Sequence, residues 1–230
     1  MKRCVVFFGA LCLSGAAVAE NPGIEKTNYS ISGSVSDADR GSSVSLAGQA
    51  RVPIANYTGA SITGRYSDFN GKNNYIDSST NSVTLGVFVR DYDLGIINAS
   101  YGYSRTESDS SISNSKNSID SISLSGTYYY KEFDLGLGRS KAKPDTGGSL
   151  NMSSASVSYY INQNFELGAT VLKMDADATN YFITYQPGAF GNAASLSVSY
   201  LDSTIHDTLT VSLSYYFDTK VSLKDRNRRY

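Results

Sequence analysis

Hydrophobic and polar residues alternate one by one along most of this chain, from Tyr29 to Phe217. In the stretch 208–217 the apolar positions are Leu209, Val211, Leu213, Tyr215 and Phe217. Serine, threonine and Tyr216 occupy the positions between them. Because successive side chains of a β-strand point to opposite faces, this period of two predicts strands with one apolar face and one wet face.

The pattern divides into about twelve such segments. They are 27–37, 41–52, 57–67, 80–91, 94–105, 118–130, 133–143, 151–162, 165–174, 179–186, 193–202 and 206–217. All four prolines are predicted to fall outside the segment interiors, where a missing backbone N–H costs least. Ten or fourteen strands remain possible, and 175–205 is the least regular part of the pattern.

The predicted connections differ in length. Those at 53–56, 91–93, 131–132 and 162–164 are short, whereas 68–79, 106–117 and 143–150 are longer and rich in polar residues. Short turns at one end and longer loops at the other are typical of an antiparallel up-and-down transmembrane β-barrel. This asymmetry predicts a periplasmic end with both termini and an extracellular end with the long loops.

Charged residues follow the same alternation, with one exception. Arg51, Arg65 and Arg90 all fall on the wet face, which matters because a lipid-facing arginine at the membrane midplane costs roughly 2–4 kcal/mol. In segment 133–143, however, Arg139 and Lys141 fall on the apolar face. Either the strand has a β-bulge, or these side chains extend to the outer headgroups.

Aromatic residues collect near the predicted strand ends, where membrane barrels carry aromatic girdles. Tyr57, Tyr92, Tyr130, Phe133, Phe165 and Phe217 lie beside the short turns, and Tyr66, Tyr101, Tyr103 and Tyr200 lie toward the long loops. The alternative is a tyrosine-rich soluble β-sandwich, which would bury the apolar face in a core. Such a sandwich rarely needs residues so uniformly small on its other face.

The N-terminus predicts export. Lys2 and Arg3, an apolar run and the small residues Ala17-Val18-Ala19 indicate a signal peptide over residues 1–19. Leu11 makes a lipidated Cys12 the weaker alternative. Both cysteines lie in this segment, so the remaining chain has no disulfide or thiolate metal site. Without Lys2 and Arg3 the 20 basic residues fall to 18 against 21 acidic ones, a net charge of −3 that predicts no nucleic-acid partner.

The signal ending in Ala17-Val18-Ala19 and the late strand 209–217 together resemble a Gram-negative outer-membrane β-barrel protein, of the small-porin or autotransporter-barrel type. This resemblance implies that residues 20–218 form a barrel in the cell outer membrane, inserted by the barrel-assembly machinery and surrounded by outer-membrane lipids and lipopolysaccharide. In such proteins the final Phe is usually terminal, whereas 218–230 follow Phe217 here.

The inward-facing positions are mostly serine and threonine, which favours a narrow water-filled passage in a barrel of twelve strands. The candidate pore-lining residues are Arg51, Arg65, Arg90, Glu166, Phe88, Tyr129, Tyr160 and Tyr216. They predict either a rim with mild anion preference or internal ion pairs and ring stacks that brace the wall. The leading hypothesis is a passive channel for small hydrophilic solutes. The alternative is a structural or surface-interaction barrel, whose loops 68–79 and 106–117 bind extracellular ligands.

Catalytic, cofactor and metal sites are not predicted. His206 is the single histidine, and an Asp–His pair with Asp202 or Asp207 could be half of a protease site. Histidine and aspartate are also ordinary loop residues, and no lipase signature adjoins His206. The segment 175–177 lacks the ligand spacing of an EF-hand. The basic C-terminal segment 219–230 is too charged for a lipid-facing strand. It is expected to be a solvated periplasmic tail, with a headgroup-bound segment and a plug of the lumen as alternatives.

Overall fold

The computed structural model describes residues 27–72, 75–109, 114–174, 177–204, 206–217 and 220–229. The predicted signal peptide at 1–19 lies outside these residues. Within them the chain forms one closed sheet, in which each strand pairs antiparallel with the next and the first pairs with the last. The predicted antiparallel β-barrel of twelve strands is therefore confirmed.

The strands reproduce the predicted segments, and most extend farther. They are β1 (Asn28–Ala38), β2 (Gly41–Ala55), β3 (Thr58–Gly71), β4 (Asp77–Asp91), β5 (Gly95–Asp109), β6 (Asn114–Tyr130), β7 (Phe133–Pro144), β8 (Leu150–Asn162), β9 (Phe165–Lys173), β10 (Ala178–Tyr185), β11 (Ala194–Ser203) and β12 (Thr208–Phe217). A 3₁₀ turn spans Gly188–Phe190, and a helix, α1, spans Leu223–Arg229. No helix in the described part of the chain has both the length and the apolarity to cross a membrane.

Apolar side chains cover the outside of the barrel. Leu137 is 72% exposed and Ile122 is 66% exposed, whereas the inward-facing Tyr160 is 1% exposed. A soluble β-sandwich would bury its apolar positions between two sheets, so this alternative is wrong for a single closed sheet. The exposed apolar band instead matches the lipid-facing surface of a membrane barrel.

The register of β7 resolves the exception at Arg139 and Lys141. Arg139 lies opposite Leu124 of β6 and Ser153 of β8, and the ladders on both sides of β7 continue without a shift. Both basic side chains therefore face outward, and the β-bulge explanation is wrong. Register shifts do occur elsewhere, one of them at Pro53, which lies inside β2 against expectation. A bulge near a strand end tolerates the missing N–H of proline.

The two longest predicted loops are largely strand. β3 and β4 leave only 72–76 between them, and β5 and β6 leave only 110–113, in place of loops over 68–79 and 106–117. The strands continue because polar side chains pair across them. The hydroxyls of Thr80 in β4 and Thr106 in β5 are 2.9 Å apart, and Glu107 of β5 forms an ion pair with Lys116 of β6. Such cross-strand pairs stabilise a ladder without apolar residues.

Candidate functional site at the short-turn mouth

The short-turn mouth is the end of the barrel bounded by the connections 56–57, 92–94, 131–132, 163–164 and 186–193. Helix α1 lies across this opening. The backbone N–H of Lys224 donates to the carbonyl of Gln163 at 3.0 Å, and its Nζ is 2.8 Å from Glu132 Oε2. Leu223 is 2% exposed. The segment predicted to be a solvated tail is thus folded against the barrel, and the solvated interpretation is wrong for 223–229.

Local sequence explains where α1 begins. The Ser222 hydroxyl accepts a hydrogen bond from the backbone N–H of Asp225 at 3.1 Å, which satisfies a donor at the helix N-terminus. Asp225 lies in the first turn and three arginines lie in the last turn, as the helix dipole favours. A helix of seven residues is too short to be stable in water by itself, so its stability depends on contacts with the mouth.

Arg226 is the most enclosed charged side chain of α1. It is 3% exposed, and its Nη2 donates to the carbonyl of Asn192 at 2.7 Å. Its Nε donates to Gln186 Oε1 at 3.2 Å, and its guanidinium lies 3.6 Å from the ring centroid of Tyr216. Gln186 is fully buried, and its amide donates to the carbonyl of Val221 at 2.6 Å. The long connection between β10 and β11 therefore supports α1.

Arg228 forms a second, ionic anchor. Its Nη2 and Nε both donate to Asp134 Oδ1, at 2.7 Å and 3.0 Å. The two side chains are 13% and 10% exposed. The guanidinium also lies over the rings of Tyr129 and Tyr160, at 4.9 Å and 5.6 Å from their centroids. Charge-assisted bonds shielded from water are among the stronger polar contacts in proteins.

Asn227 connects α1 to the wall between these two arginines. Its side-chain amide donates to the Tyr160 hydroxyl at 3.0 Å and to Glu166 Oε2 at 3.1 Å. The Tyr160 hydroxyl in turn donates to Asp134 Oδ2 at 3.1 Å. One polar network thus joins β7, β8 and β9 to the helix, which fits the cooperative strength of enclosed hydrogen-bond networks.

Most of the predicted pore-lining residues meet at this mouth. Phe88, Arg90, Tyr129, Tyr160 and Glu166 are all buried here, with Tyr216 and Arg51 half-buried nearby. Arg65 lies farther along the inner wall, where it is exposed. The sequence missed the groups that the aromatic residues contact, which are Asp134 and the side chains of α1, and it missed Gln186, which binds Arg226. Two sequence features could have indicated the docked helix. They are the Ser222-x-x-Asp225 spacing and the arginines of 226–229, whose charges complement the inward-facing tyrosines.

Arg90 differs from the arginines of α1. It is 2% exposed, and its guanidinium lies 5.4 Å from the ring centroid of Phe88. Among the described residues its Nε and Nη1 have no hydrogen-bond partner. The guanidinium of Arg51 is close enough to repel it. Two neighbouring cations on the inner wall form a local positive field, which becomes favourable when an anion is present.

A cavity of about 230 Å³ lies along the inner wall beside this site. Its lining comes from β12, β1, β2 and β3 and consists of Ser30, Ser32, Ala47, Gly48, Gln49, Thr63, Ser214 and Tyr216. These groups are small or uncharged polar side chains that hydrogen-bond readily to water or to hydroxylated solutes.

The His206 region has the contacts of a turn. The backbone N–H of His206 donates to Ser203 Oγ at 3.2 Å, and Asp207 accepts a hydrogen bond from the Tyr200 hydroxyl at 2.7 Å. Among the described residues, Nδ1 of His206 has no hydrogen-bond partner, and this is the nitrogen that a carboxylate holds in an Asp–His pair. Over the described residues no group of three or more acidic, histidine or cysteine side chains could hold a metal ion.

Comparison with known proteins finds solved structures that share this barrel fold. No protein-family model and no curated protein matches the sequence. Among solved structures, the barrel is similar to the KdgM porin in complex with disordered oligogalacturonate, with 13% identity, a TM-score of 0.63, and coverage of 81% of this chain and 98% of that chain. An outer membrane channel from Pseudomonas putida F1 has 9% identity and a TM-score of 0.61, covering 84% and 96%.

The translocator domain of the autotransporter NalP from Neisseria meningitidis is also similar. It has 13% identity and a TM-score of 0.54, and the match covers 83% of this chain and 88% of that chain. At these identities the similarity shows the fold alone. The resemblance to an outer-membrane β-barrel, drawn from the signal and the alternating strands, is confirmed at the level of the fold.

Proposed function

We propose that this protein is a passive channel of the outer membrane for small hydrophilic solutes, narrowed at its periplasmic mouth by α1. The observation that carries this proposal is the cavity of about 230 Å³ inside the barrel, lined largely by hydroxyl and amide side chains. Hydroxyl and amide side chains can replace water as hydrogen-bond partners of a hydrophilic solute inside the barrel.

The position of α1 supports a narrowed passage. The hydrogen bonds and ion pairs of the helix go to residues between β6 and β11, including Glu132, Asp134 and Gln186. The cavity lies along β12 to β3, and Tyr216 in its lining also contacts Arg226 of the helix. Because α1 is anchored in the mouth, it reduces the cross-section of the lumen there, and its removal is expected to widen the passage.

Liposome swelling tests this proposal directly. Purified protein, with and without residues 219–230, is reconstituted and challenged with sugars of increasing size. We expect slow swelling with the smallest sugars for the intact chain, and faster swelling with a larger size limit for the shortened chain. Protein-free liposomes and unboiled gels of each sample control for leakage and folding.

Tight liposomes with both proteins would overturn the channel. That result would instead support a structural or surface-interaction barrel. The buried contacts of α1 in the mouth are also compatible with a barrel that does not conduct. Because the loops at 68–79 and 106–117 are mostly strand, a binding surface would then involve the strand ends Thr80, Arg105 and Glu107.

The neighbouring arginines Arg51 and Arg90 suggest a mild preference for anions at the mouth. Arg51 and Arg90 carry like charges that repel each other on the inner wall, and positive rings favour anions in pores. The variant R51A/R90A is expected to lower the chloride-to-potassium permeability ratio, measured as the reversal potential in a salt gradient. R105A/R139A, which removes two outward-facing arginines, is the matched control. Unchanged selectivity in R51A/R90A would remove the anion preference and leave the channel proposal intact.

A further inference from the structure

Three exposed cations lie together on the outer surface of the barrel. Arg139 and Lys141 face outward from β7, and Lys173 faces outward from the end of β9. We name these three residues the lipid-facing cation cluster. They lie toward the end of the barrel opposite α1, which the connection lengths assign to the extracellular side.

The register places the three cations around one polar surface. Arg139 is opposite Ser153 of β8, and Ser153 is opposite Lys173 of β9. Since neighbouring strands are about 4.8 Å apart, the Cα atoms of Arg139 and Lys173 are separated by about 10 Å. Lys141 is opposite Asn151, one side-chain position farther along the same face. Long side chains at these positions are within reach of the surface around Ser153 and Asn151, both of which are exposed.

The cluster has no carboxylate partner among the described residues, and this distinguishes it from other cations at the same end. Arg105 and Lys116 lie 3.3 Å and 3.2 Å from Glu107, and Lys72 lies 2.6 Å from Asp37. Lys143, the next outward cation of β7, is opposite Asp120 and is therefore not included in the cluster. Three positive charges without an ion pair among the described residues favour an anionic ligand.

The height of the cluster identifies the kind of ligand. The outward positions directly below it are apolar: Leu135 and Leu137 in β7, Ala155 and Val157 in β8, and Ala169 and Val171 in β9. These residues suit acyl chains, and the first polar row above them falls at the level of the headgroups. An amphipathic molecule can contact both rows at once, whereas a free anion contacts only the upper one.

We propose that the lipid-facing cation cluster binds the phosphate of an outer-leaflet glycolipid, with the acyl chains of that lipid on the apolar rows below. Arg139 offers the planar fork that bonds two phosphate oxygens, and the two lysines supply point charges. Ser153 and Asn151 donate further hydrogen bonds to the sugar or to the phosphate. The site is on the outside of the wall, so it does not depend on whether the lumen conducts.

Native mass spectrometry of the detergent-solubilised barrel tests the site, with bis-phosphorylated lipid A as the probe. We expect the wild-type protein to retain lipid A, and R139Q/K141Q/K173Q to bind it at least tenfold more weakly. The matched control is K72Q/R105Q/K116Q, which removes three cations at the same end that are ion-paired, and it should bind as the wild type does. Lipid A stripped of its phosphates should bind the wild type as weakly as the triple variant binds intact lipid A.

Equal retention by the wild type and R139Q/K141Q/K173Q would overturn the proposal. Equal retention of the phosphorylated and dephosphorylated lipids would do the same, because acyl contacts alone would then explain the binding. Millimolar inorganic phosphate that displaced lipid A completely would also contradict it, since the apolar rows would then contribute nothing. The intact heat-modifiable mobility of each variant shows that a loss of binding is not a loss of folding.

Discussion

Arg226 is the residue on which the docking of α1 most depends. It is buried, it hydrogen-bonds to Gln186 and Asn192, and it lies against the ring of Tyr216. The alternation placed Tyr216 on the inner face from sequence alone, because parity determines which way a strand residue points. The alternation does not show what fills the lumen of the barrel. The arginine that contacts this ring therefore could not be assigned before the fold was known.

Replacing Arg226 with alanine is expected to release α1. The variant leaves the buried Gln186 oxygen without its donor, at a cost of about 1–3 kcal/mol. Limited trypsin digestion of the folded barrel measures the effect as the cleavage rate after Lys220 and Lys224, which follows the population of released helix. We expect cleavage to accelerate about tenfold or more.

R229A is the control for this measurement. Arg229 is 45% exposed in its contact with Asp225, and exposed ion pairs contribute at most about 1 kcal/mol. Its cleavage rate should stay close to that of the wild type. A rate in R226A no faster than in R229A would mean that the buried hydrogen bonds of Arg226 do not hold the helix.

At the scale of elements, the strands were predictable and the helix was not. An alternation sustained over about ten residues is specific for a strand that is apolar on one face. Helix α1 has seven residues, and it gains its stability from a mouth built by distant strands. The polar extensions of β3 to β6 were predicted as loops for a related reason. They continue by cross-strand pairing, which a pattern of hydrophobicity does not record.

In the candidate site, too, some features were predictable from the sequence and others were not. Phe88, Tyr129, Tyr160 and Glu166 were assigned to one end of the inner wall, and they are buried together there. The sequence predicted either a rim that prefers anions or ion pairs and ring stacks that brace the wall, and each prediction fits different residues of this group. Tyr129 and Tyr160 brace the docked helix through Arg228, whereas Arg90 keeps guanidinium nitrogens without hydrogen-bond partners in the described chain.

At the scale of the whole molecule, closure of the sheet is the decisive feature. β1 and β12 are paired from Tyr29 opposite Phe217 to Ala38 opposite Thr208, so the sheet has no free edge at this seam. Closure satisfies the backbone hydrogen bonds in lipid, where no water can replace them. The strand count followed from dividing the alternating pattern at its turns, but the sequence alone did not exclude ten or fourteen strands.

A heat-modifiability gel checks the barrel as a whole. Unboiled protein in dodecyl sulfate should migrate faster than boiled protein, because a closed sheet stays compact until heat separates its strands. The chain shortened by removal of 219–230 should behave in the same way, since α1 contributes no strand. Identical migration before and after boiling, for protein refolded in detergent, would be incompatible with a closed membrane barrel.

The attachment of α1 has a consequence for how the mouth can open. Residues 218–222 connect the end of β12 to the helix, and five residues span at most about 18 Å when fully extended. A helix detached from its site therefore remains within a short radius of it, at an effective concentration on the order of millimolar. A free peptide of the same sequence would be a poor competitor at ordinary concentrations, and rebinding of the tethered helix would be fast. Lasting release would require a ligand, a partner or a pulling force that holds the detached segment away.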